Sequence, residues 1–311
     1  MKIVFMGTPA FAVPSLQMLV KEGYEVVAVV TQPDRPQGRK KILTPSPVKE
    51  AAISLGLPVL QPERMRRPEA VAELAALEPD LIVTAAYGQF LPKAVLDLPK
   101  NGCVNIHGSL LPKYRGGAPI QRSIINGEKV TGITLMYMAE GMDTGDMISR
   151  VEVPIEDEDT SGTLFEKLSL AGRDLLKSEM PRLIAGRVEA TPQEDAEVTY
   201  APNLSREDER IDWNASSRDI YNQIRGLVPF SGGFTLWNGE TFKVWASKLP
   251  ASMNSSDNTP GTVISVTEHG VEVKTGDGSL LLTTVQPAGK KAMSAADFSR
   301  GGVMKPGTVL G

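Results

Sequence analysis

Short apolar runs alternate with helical patterns along the first part of the chain, and this alternation constrains the fold more than any other feature. The stretches between the runs, such as Ser15 to Glu22, carry apolar residues at helical spacing. Such alternation predicts βαβ units, a mostly parallel sheet and helices on both of its faces. We therefore predict an α/β, doubly wound domain of Rossmann type over residues 1–189. The strand-like runs are Lys2 to Met6, Glu25 to Val30, Pro58 to Leu60, Asp80 to Ala86 and Cys103 to Ile106.

Two further strand-like runs, Thr131 to Met138 and Met147 to Val153, flank a loop from Ala139 to Asp146 that is rich in Gly and Asp. A longer helical pattern follows and closes the first domain. In that pattern Thr163 and Glu166 have the spacing of a capping box, which predicts that the helix begins there.

Residues 190–206 are polar and contain proline, as is typical of a linker. The second domain, 207–311, holds five short strand-like runs and two hairpin-turn signals, Asn238-Gly239 and Asp277-Gly278. This pattern favours a small C-terminal β-barrel of the oligonucleotide-binding type. The runs are Gly233 to Trp237, Phe242 to Ala246, Thr262 to Val266, Val271 to Lys274 and Leu280 to Val285.

The composition of the chain limits which binding sites it can form and in which cellular compartment we expect it. With one Cys and two His, the chain offers few ligands for a zinc site and no disulfide, so we predict no metal. The N-terminus has the pattern of a strand and not of a signal peptide, and no apolar run reaches the length of a membrane span. We expect a cytoplasmic protein that does not associate with a membrane. A net charge of −4 means that contact with nucleic acid must come from a local cluster of cations.

The segment GCVNIHGSLLP carries the first candidate chemistry. Strand alternation puts Asn105 and His107 on the same side, just before Gly108 lets the chain turn out of the sheet. An Asn amide can donate to a developing oxyanion, and a His can donate to it or carry a proton, while a nearby carboxylate orients the imidazole. Asp143 is the candidate carboxylate. The alternatives are a buried, satisfied His and an aspartate that only shapes a turn.

A second candidate is the basic loop DRPQGRKK, which follows the second strand and carries Arg35, Arg39, Lys40 and Lys41. It is either a solvated surface loop or a mobile arm that docks on a phosphate backbone. By contrast, GTPAFAVPS after the first strand lacks the later glycines of a dinucleotide-binding turn.

Several strings, in this order, resemble the methionyl-tRNA formyltransferase family nearly from end to end: MGTPAFAVPSL, TQPDRPQGR, AAYGQFLPKAVL, GCVNIHGSLLPKYRGGAPIQRSI, GMDTGDMI and QPAGKKAM. The N-x-H-x-S-L-L-P element is shared with other 10-formyltetrahydrofolate-dependent transferases. The resemblance implies a formyltransferase-like first domain. It implies formyl transfer from 10-formyltetrahydrofolate to the α-amino group of methionyl initiator tRNA, for translation initiation, by a protein that we expect to be a monomer.

The resemblance also assigns residues. Asn105, His107 and Asp143 would form the transfer centre. The formyl donor would bind Ser109, Leu110, Leu111 and Pro112, with Tyr87, Gly88, Gln89, Phe90 and Leu91 around its pterin end. The tRNA would bind Arg35, Arg39, Lys40 and Lys41, with Lys290 and Lys291 in the second domain. Many relatives read G-R-G-K-K in the basic loop, whereas this chain lacks the intervening glycine, so which cation has the main role stays open.

Three other functions remain open to the sequence. A folate-dependent formyltransferase acting on a nucleotide sugar or a ribonucleotide amine would use the same first domain. A nucleotide-dependent oxidoreductase would need the glycine fingerprint that is missing. An RNA-binding module without catalysis would leave Asn105, His107 and Asp143 unexplained.

Overall fold

A computed structural model describes residues 1–251 and 257–311, and the chain divides into two compact units. Unit 1 comprises Met1–Pro119, Val130–Pro154 and Phe165–Ala201. Unit 2 comprises Pro202–Gly311 together with two short segments from earlier in the chain, Ile120–Lys129 and Ile155–Leu164. Residues 190–201, in the predicted linker, therefore pack with unit 1.

In chain order, the strands are β1 (Lys2–Gly7), β2 (Glu25–Val30), β3 (Arg35–Gln37), β4 (Ile42–Thr44), β5 (Val59–Leu60), β6 (Leu81–Ala85), β7 (Cys103–His107), β8 (Val130–Tyr137), β9 (Met147–Pro154), β10 (Gly233–Trp237), β11 (Glu240–Lys248), β12 (Val263–Thr267), β13 (Gly270–Lys274), β14 (Ser279–Gln286) and β15 (Met293–Ser294). The helices are α1 (Val13–Lys21), α2 (Pro47–Ser54), α3 (Pro68–Ala75), α4 (Lys93–Leu96), α5 (Pro119–Ile125), α6 (Ser161–Ile184), α7 (Arg206–Glu209), α8 (Ser217–Leu227) and α9 (Ala295–Arg300). No helix in the described ranges is both long and apolar enough to cross a membrane.

Unit 1 is built on a seven-stranded sheet in the order β5-β2-β1-β6-β7-β8-β9. The pairs from β5 to β7 are parallel, and β8 and β9 add an antiparallel edge. The predicted mostly parallel sheet is confirmed. Its two faces are both buried, because alternate residues of the central strands are apolar on each side.

One face of this sheet packs against α3 and α4, and Val4, Met6 and Ile82 share a core with Leu74 and Val95. On the other face a Cβ placed at Gly172 of α6 would lie 2.7 Å from Cγ2 of Ile106. Helix and strand approach closely there because position 172 has no side chain. The predicted arrangement with helices on both faces is thus confirmed.

Two local predictions are wrong. Helix α6 begins at Ser161, where Thr160 and Thr163 exchange backbone-to-hydroxyl hydrogen bonds of 3.0 and 3.3 Å, so Thr163 and Glu166 do not form the predicted capping box. The basic loop is also more regular than predicted. Strands β3 and β4 pair antiparallel, from Arg35 opposite Thr44 to Gln37 opposite Ile42, and make a short exposed hairpin.

Unit 2 contains an antiparallel sheet in the order β10-β11-β14-β13-β12, with β15 paired to β14. All five predicted strands are present, so the predicted second domain of short β-strands is confirmed. The turn at Asn238-Gly239 has positive φ at both residues, 53° and 77°, as a two-residue hairpin requires. Residues of α8 and α9, including Ile220, Ile224 and Phe298, complete the core of this sheet.

Candidate functional site

Two polar side chains leave β7 on the same face of the unit 1 sheet. Since Ile106 packs against α6, strand alternation turns Asn105 and His107 to the opposite face. His107 is the last residue of the strand. The predicted pairing of an amide and an imidazole at the carboxyl end of a central strand is therefore present.

The Asn105 amide is oriented by a neighbouring strand. Thr84, in β6, donates its hydroxyl to Asn105 Oδ1 at 2.7 Å, and this is the shortest hydrogen bond of that hydroxyl. Because the amide oxygen accepts from Thr84, the NH₂ group points away from it. Asn105 Nδ2 makes no hydrogen bond to any residue that the structure describes. It is a fixed and available donor.

The His107 imidazole is buried, with 6% of its side chain exposed, and acceptors face both of its nitrogens. Nε2 lies 3.0 Å from the Tyr114 carbonyl oxygen, and Nδ1 lies 3.6 Å from Asp143 Oδ1. A carbonyl and a carboxylate can only accept, so each ring nitrogen faces a group to which it could donate a hydrogen bond. The separation on the Nδ1 side is longer than a hydrogen bond, so Asp143 lies beside Nδ1 without binding it directly.

Asp143 lies in the loop between β8 and β9 and has φ of 54°, in the left-handed region. Its Oδ2 accepts from the backbone N–H of Gly116 at 2.8 Å, while Oδ1 faces His107. The loop turns tightly, because a Cβ at Gly145 would collide with the carbonyl of Tyr137. The structure thus brings Asp143 to the imidazole, as the resemblance implied.

The segment Ser109, Leu110, Leu111 and Pro112 follows His107 and is largely buried. The Ser109 hydroxyl donates to the Lys113 carbonyl at 2.7 Å. The Leu111 backbone is held at both ends, since its N–H donates to Thr134 Oγ1 and its carbonyl accepts from Arg150. These hydrogen bonds therefore hold the segment in place directly after His107.

The loop after β6 holds the other residues that are predicted to bind the formyl donor. Burial raises the pKa of Tyr87 to about 12, so its phenol is neutral, and its hydroxyl is buried without a hydrogen-bond partner in the structure. The Gln89 side chain is occupied within the fold, because it donates to the Pro62 carbonyl and accepts from Met65 N–H. Leu91 is buried and Gly88 is exposed. Phe90, by contrast, is 71% exposed, which is unusual for an aromatic ring.

The basic residues Arg35, Arg39, Lys40 and Lys41 are all exposed on the β3–β4 hairpin. The base of the hairpin is clamped. Thr31 and Ser46 share a buried hydrogen bond of 2.6 Å, and Asp34 accepts from Lys49 Nζ and Gln61 Nε2, each at 2.8 Å. The hydrogen bond from Lys49 lowers the pKa of Asp34. A fixed base therefore carries an exposed cationic tip.

Lys290 and Lys291 are exposed in unit 2, after β14. The Lys290 carbonyl accepts from Gln286 Nε2 at 2.9 Å, which fixes the turn and leaves the ammonium group in solvent. Within the described ranges, no three His, Cys, Asp or Glu side chains come together as a metal site.

Sequence reasoning missed the residues that hold Asn105, His107 and Asp143 in place. They are Thr84, Tyr114, Gly116 and Gln193, whose hydrogen bonds reach partners 21, 7, 27 and 50 positions away in the chain. Thr84 alone gave a signal, since it is a polar residue in an otherwise apolar central strand.

Comparison with known proteins shows the family to which the chain belongs. The profile of the formyl transferase family matches residues 1–179, and the profile of the formyl transferase C-terminal domain matches residues 203–302. The chain therefore belongs to the formyl transferase family. Within it, the chain is 56% identical to the methionyl-tRNA formyltransferase of Bacillus subtilis (strain 168), over 100% of this chain and 98% of that protein. It is 54% identical to the methionyl-tRNA formyltransferase of Bacillus velezensis, over the same shares of the two chains.

Solved structures share the fold at lower identity. WlaRD, a sugar 3N-formyl transferase crystallised in the presence of dTDP and 5-N-formyl-THF, matches with a TM-score of 0.68 at 22% identity, over 94% of this chain and 99% of that one. HypX from Aquifex aeolicus, in complex with tetrahydrofolic acid, matches with a TM-score of 0.66 at 17% identity, over 95% of this chain and 46% of that one. At these identities the likeness shows the fold.

Proposed function

We propose that this protein transfers the formyl group of 10-formyltetrahydrofolate to the α-amino group of methionyl initiator tRNA. The observation that carries the proposal is the transfer centre. A fixed, available amide donor, Asn105, leaves the same strand face as an imidazole that has Asp143 beside one nitrogen. The family of the chain and the methionyl-tRNA formyltransferases that it resembles over their length support the same reaction.

The residues account for the chemical steps. Near neutral pH enough of the methionyl α-amine is unprotonated to attack a formyl carbon, since α-amino groups titrate near 8. Asn105 Nδ2 donates to the formyl oxygen as it gains negative charge, and one such donor lowers a barrier by about 3 kcal/mol. His107 Nδ1, when it carries a proton, supplies a second donor. As the new C–N bond forms and the bond to the donor's N10 breaks, one proton must pass from the amine to N10, and His107 Nδ1 can carry it.

The formyl donor, when bound, supplies an activated formyl carbon and leaves as tetrahydrofolate. The residues present fit such a molecule. Phe90 offers an exposed aromatic face on the loop after β6, and Met142, which is 45% exposed, offers a second apolar side chain on the loop that carries Asp143. Planar heteroaromatic rings bind well against apolar and aromatic side chains. We propose that Ser109 to Pro112 and the loop from Tyr87 to Leu91 form this donor site.

The acceptor would be held by the β3–β4 hairpin. Its cations are exposed, and because the base is clamped, fewer conformations are lost when the hairpin binds. Phosphate groups are the chemistry that such a tip recognises. We propose Lys290 and Lys291 as a further phosphate contact in unit 2, and a cytoplasmic setting, where translation initiates.

The test is formyl transfer by the purified chain with 10-formyltetrahydrofolate as donor. We expect rapid formylation of methionyl initiator tRNA and little formylation of free methionine or of a dTDP-amino sugar. The variant His107→Asn serves as a catalytically impaired control that keeps a polar side chain. Equal or faster formylation of the amino sugar would overturn the proposed acceptor, and absence of transfer to every amine would overturn the reaction.

A further inference from the structure

The segment from Thr191 to Ala201, which the sequence marks as linker, is tied into unit 1 at both ends. At the start, Thr191 and Met147 exchange two backbone hydrogen bonds of 2.8 Å. At the other end, the Arg115 N–H donates to the Thr199 carbonyl at 2.9 Å, and the Ala201 N–H donates to the Arg115 carbonyl at 2.7 Å. We name this segment the strap. It connects the loop of Asp143 with the loop that follows His107.

Gln193 is the residue of the strap that reaches the transfer centre. Its Nε2 donates to two carbonyl oxygens of the loop between β8 and β9, that of Asp143 at 2.7 Å and that of Gly145 at 2.8 Å. Its Oε1 accepts from Arg115, from Nε at 3.0 Å and from NH2 at 2.8 Å. Carbonyls can only accept and a guanidinium can only donate, so these partners allow a single orientation of the amide. Both N–H groups and both lone pairs are used.

The hydrogen bonds from Gln193 stabilise the backbone at Asp143. Asp143 has a left-handed conformation, which residues with a side chain adopt less readily than glycine and which contacts with the surroundings stabilise. Gln193 holds the carbonyl of that residue, and Gly116 holds its carboxylate. Arg115, which is 6% exposed, joins these two supports because it precedes Gly116 and binds Gln193.

The strap also holds the opposite side of the imidazole. Thr199 Oγ1 accepts from the Tyr114 N–H at 2.9 Å, and the Tyr114 carbonyl is the partner of His107 Nε2. Both acceptors that face the ring are thus fixed by one segment. We propose that Gln193 is a positioning residue for formyl transfer: it holds Asp143 so that the carboxylate faces His107 Nδ1.

The inference rests on the proposed function, and its test uses variants that change one property each. Gln193→Glu keeps the size and the contact with Arg115 but cannot donate to the two carbonyls when ionised. Gln193→Ala removes all four hydrogen bonds. Glu194→Gln is the matched control, because its side chain is exposed on the same strap.

We expect kcat to fall about 10- to 100-fold in both Gln193 variants, since small displacements of catalytic groups have effects of this size. KM for tRNA should stay within about threefold, because Gln193 does not contact the basic hairpin. KM for the formyl donor should change less than kcat, because Gln193 contacts neither Ser109 to Pro112 nor the loop from Tyr87 to Leu91, although it holds the loop on which Met142 lies. The pH profile of kcat should also shift, because the carboxylate that faces His107 has moved. A role in stability alone would lower Tm and leave that profile unchanged.

Each outcome decides the matter. Wild-type kcat and pH profile in Gln193→Glu and Gln193→Ala, with an active parent enzyme, would overturn the inference and leave the proposed function intact. An inactive parent enzyme would overturn the proposed function instead. If either Gln193 variant fails to fold, Arg115→Lys reports on the same support, because a single ammonium replaces the two bonds to Oε1; a folded, fully active Arg115→Lys with an unchanged pH profile would then count against the inference.

Discussion

The Asn105 amide shows how one residue in an adjacent strand can decide the chemistry of another. Thr84 is buried, and its hydroxyl donates to the amide oxygen, so that the NH₂ group is the part presented to a ligand. Without that bond the amide could rotate and present its oxygen, which would repel an oxyanion. Thr84 therefore sets which end of the Asn105 amide is available to a ligand.

Replacing Thr84 tests this dependence. Thr84→Val has nearly the same volume and removes the donor, and we expect kcat for formyl transfer to fall about tenfold, part of the loss of a full oxyanion donor. Asn105→Asp, which replaces the donor by a negative charge, should lower kcat by about 100- to 1000-fold. Thr84→Ser keeps the hydroxyl and is the control. If Thr84→Val and Thr84→Ser have the same kcat, Thr84 does not orient the amide.

How much of the site could be predicted from the sequence depends on how far apart in the chain its interacting residues lie. Strand alternation is local, so it placed Asn105 and His107 on one face, and the structure agrees. Asp143 required the family resemblance, because nothing local distinguishes it from other turn aspartates. Gln193 gave no signal, since its partners are carbonyl groups and an arginine from 48 to 78 positions away in the chain.

At the scale of elements, the same distinction separates correct predictions from wrong ones. The periodicity of β1, β6 and β7 reports burial on both faces and predicted these strands to within a residue or two. The β3–β4 hairpin was predicted as a loop, because its strands of three residues bury no apolar face. The contacts at its base join residues 15 to 27 positions apart, and such tertiary contacts leave no periodic pattern in the sequence.

In unit 2, a bidentate ion pair fixes the short helix α7 against α5. Arg122 donates from NH1 to Asp208 Oδ1 at 2.8 Å and from NH2 to Oδ2 at 3.1 Å. Asp208 also accepts from the backbone N–H and the hydroxyl of Ser205. The hydrogen bond from Arg122 is the largest cause that lowers the pKa of Asp208 to about 2.

This pKa gives a pH dependence with a definite sign. The unfolded pKa of an aspartate is about 3.9, so the ionised carboxylate stabilises the folded state above about pH 5. The contribution is lost as the pH falls towards 2. We expect Asp208→Asn to lower the free energy of unfolding by about 2 kcal/mol at pH 7, and the difference from wild type to shrink between pH 5 and pH 2.

Urea unfolding at a series of pH values measures the effect. Glu240→Gln is the control, because Glu240 is exposed at the β10–β11 turn and should show no such change with pH. If the difference in unfolding free energy between wild type and Asp208→Asn stays constant from pH 7 to pH 2, the charge of the Asp208 carboxylate does not stabilise the folded state.

For the binding of tRNA by the whole molecule, the distribution of charge over the surface matters more than the net charge. The chain carries a net charge of −4, which opposes association with a polyanion at long range. The exposed hairpin concentrates Arg39, Lys40 and Lys41 beyond a clamped base. Binding of tRNA would therefore depend on a few local contacts with phosphate, each of which releases counterions and makes affinity fall as salt rises.

Salt titration of tRNA binding measures the number of those contacts. Each phosphate contact contributes about 0.7 to 0.9 to the slope of log K against log salt concentration, so replacing Arg39, Lys40 and Lys41 by alanine together should reduce the slope by about 2 to 3. Exchanging the same cations, as Arg39→Lys, Lys40→Arg and Lys41→Arg, keeps the charge and should keep the slope. Because this chain lacks the intervening glycine, the three single alanine variants then show which cation has the largest share. A slope that is unchanged in the triple alanine variant would show that the hairpin does not contact phosphate, and that the acceptor is held by other surfaces of the chain.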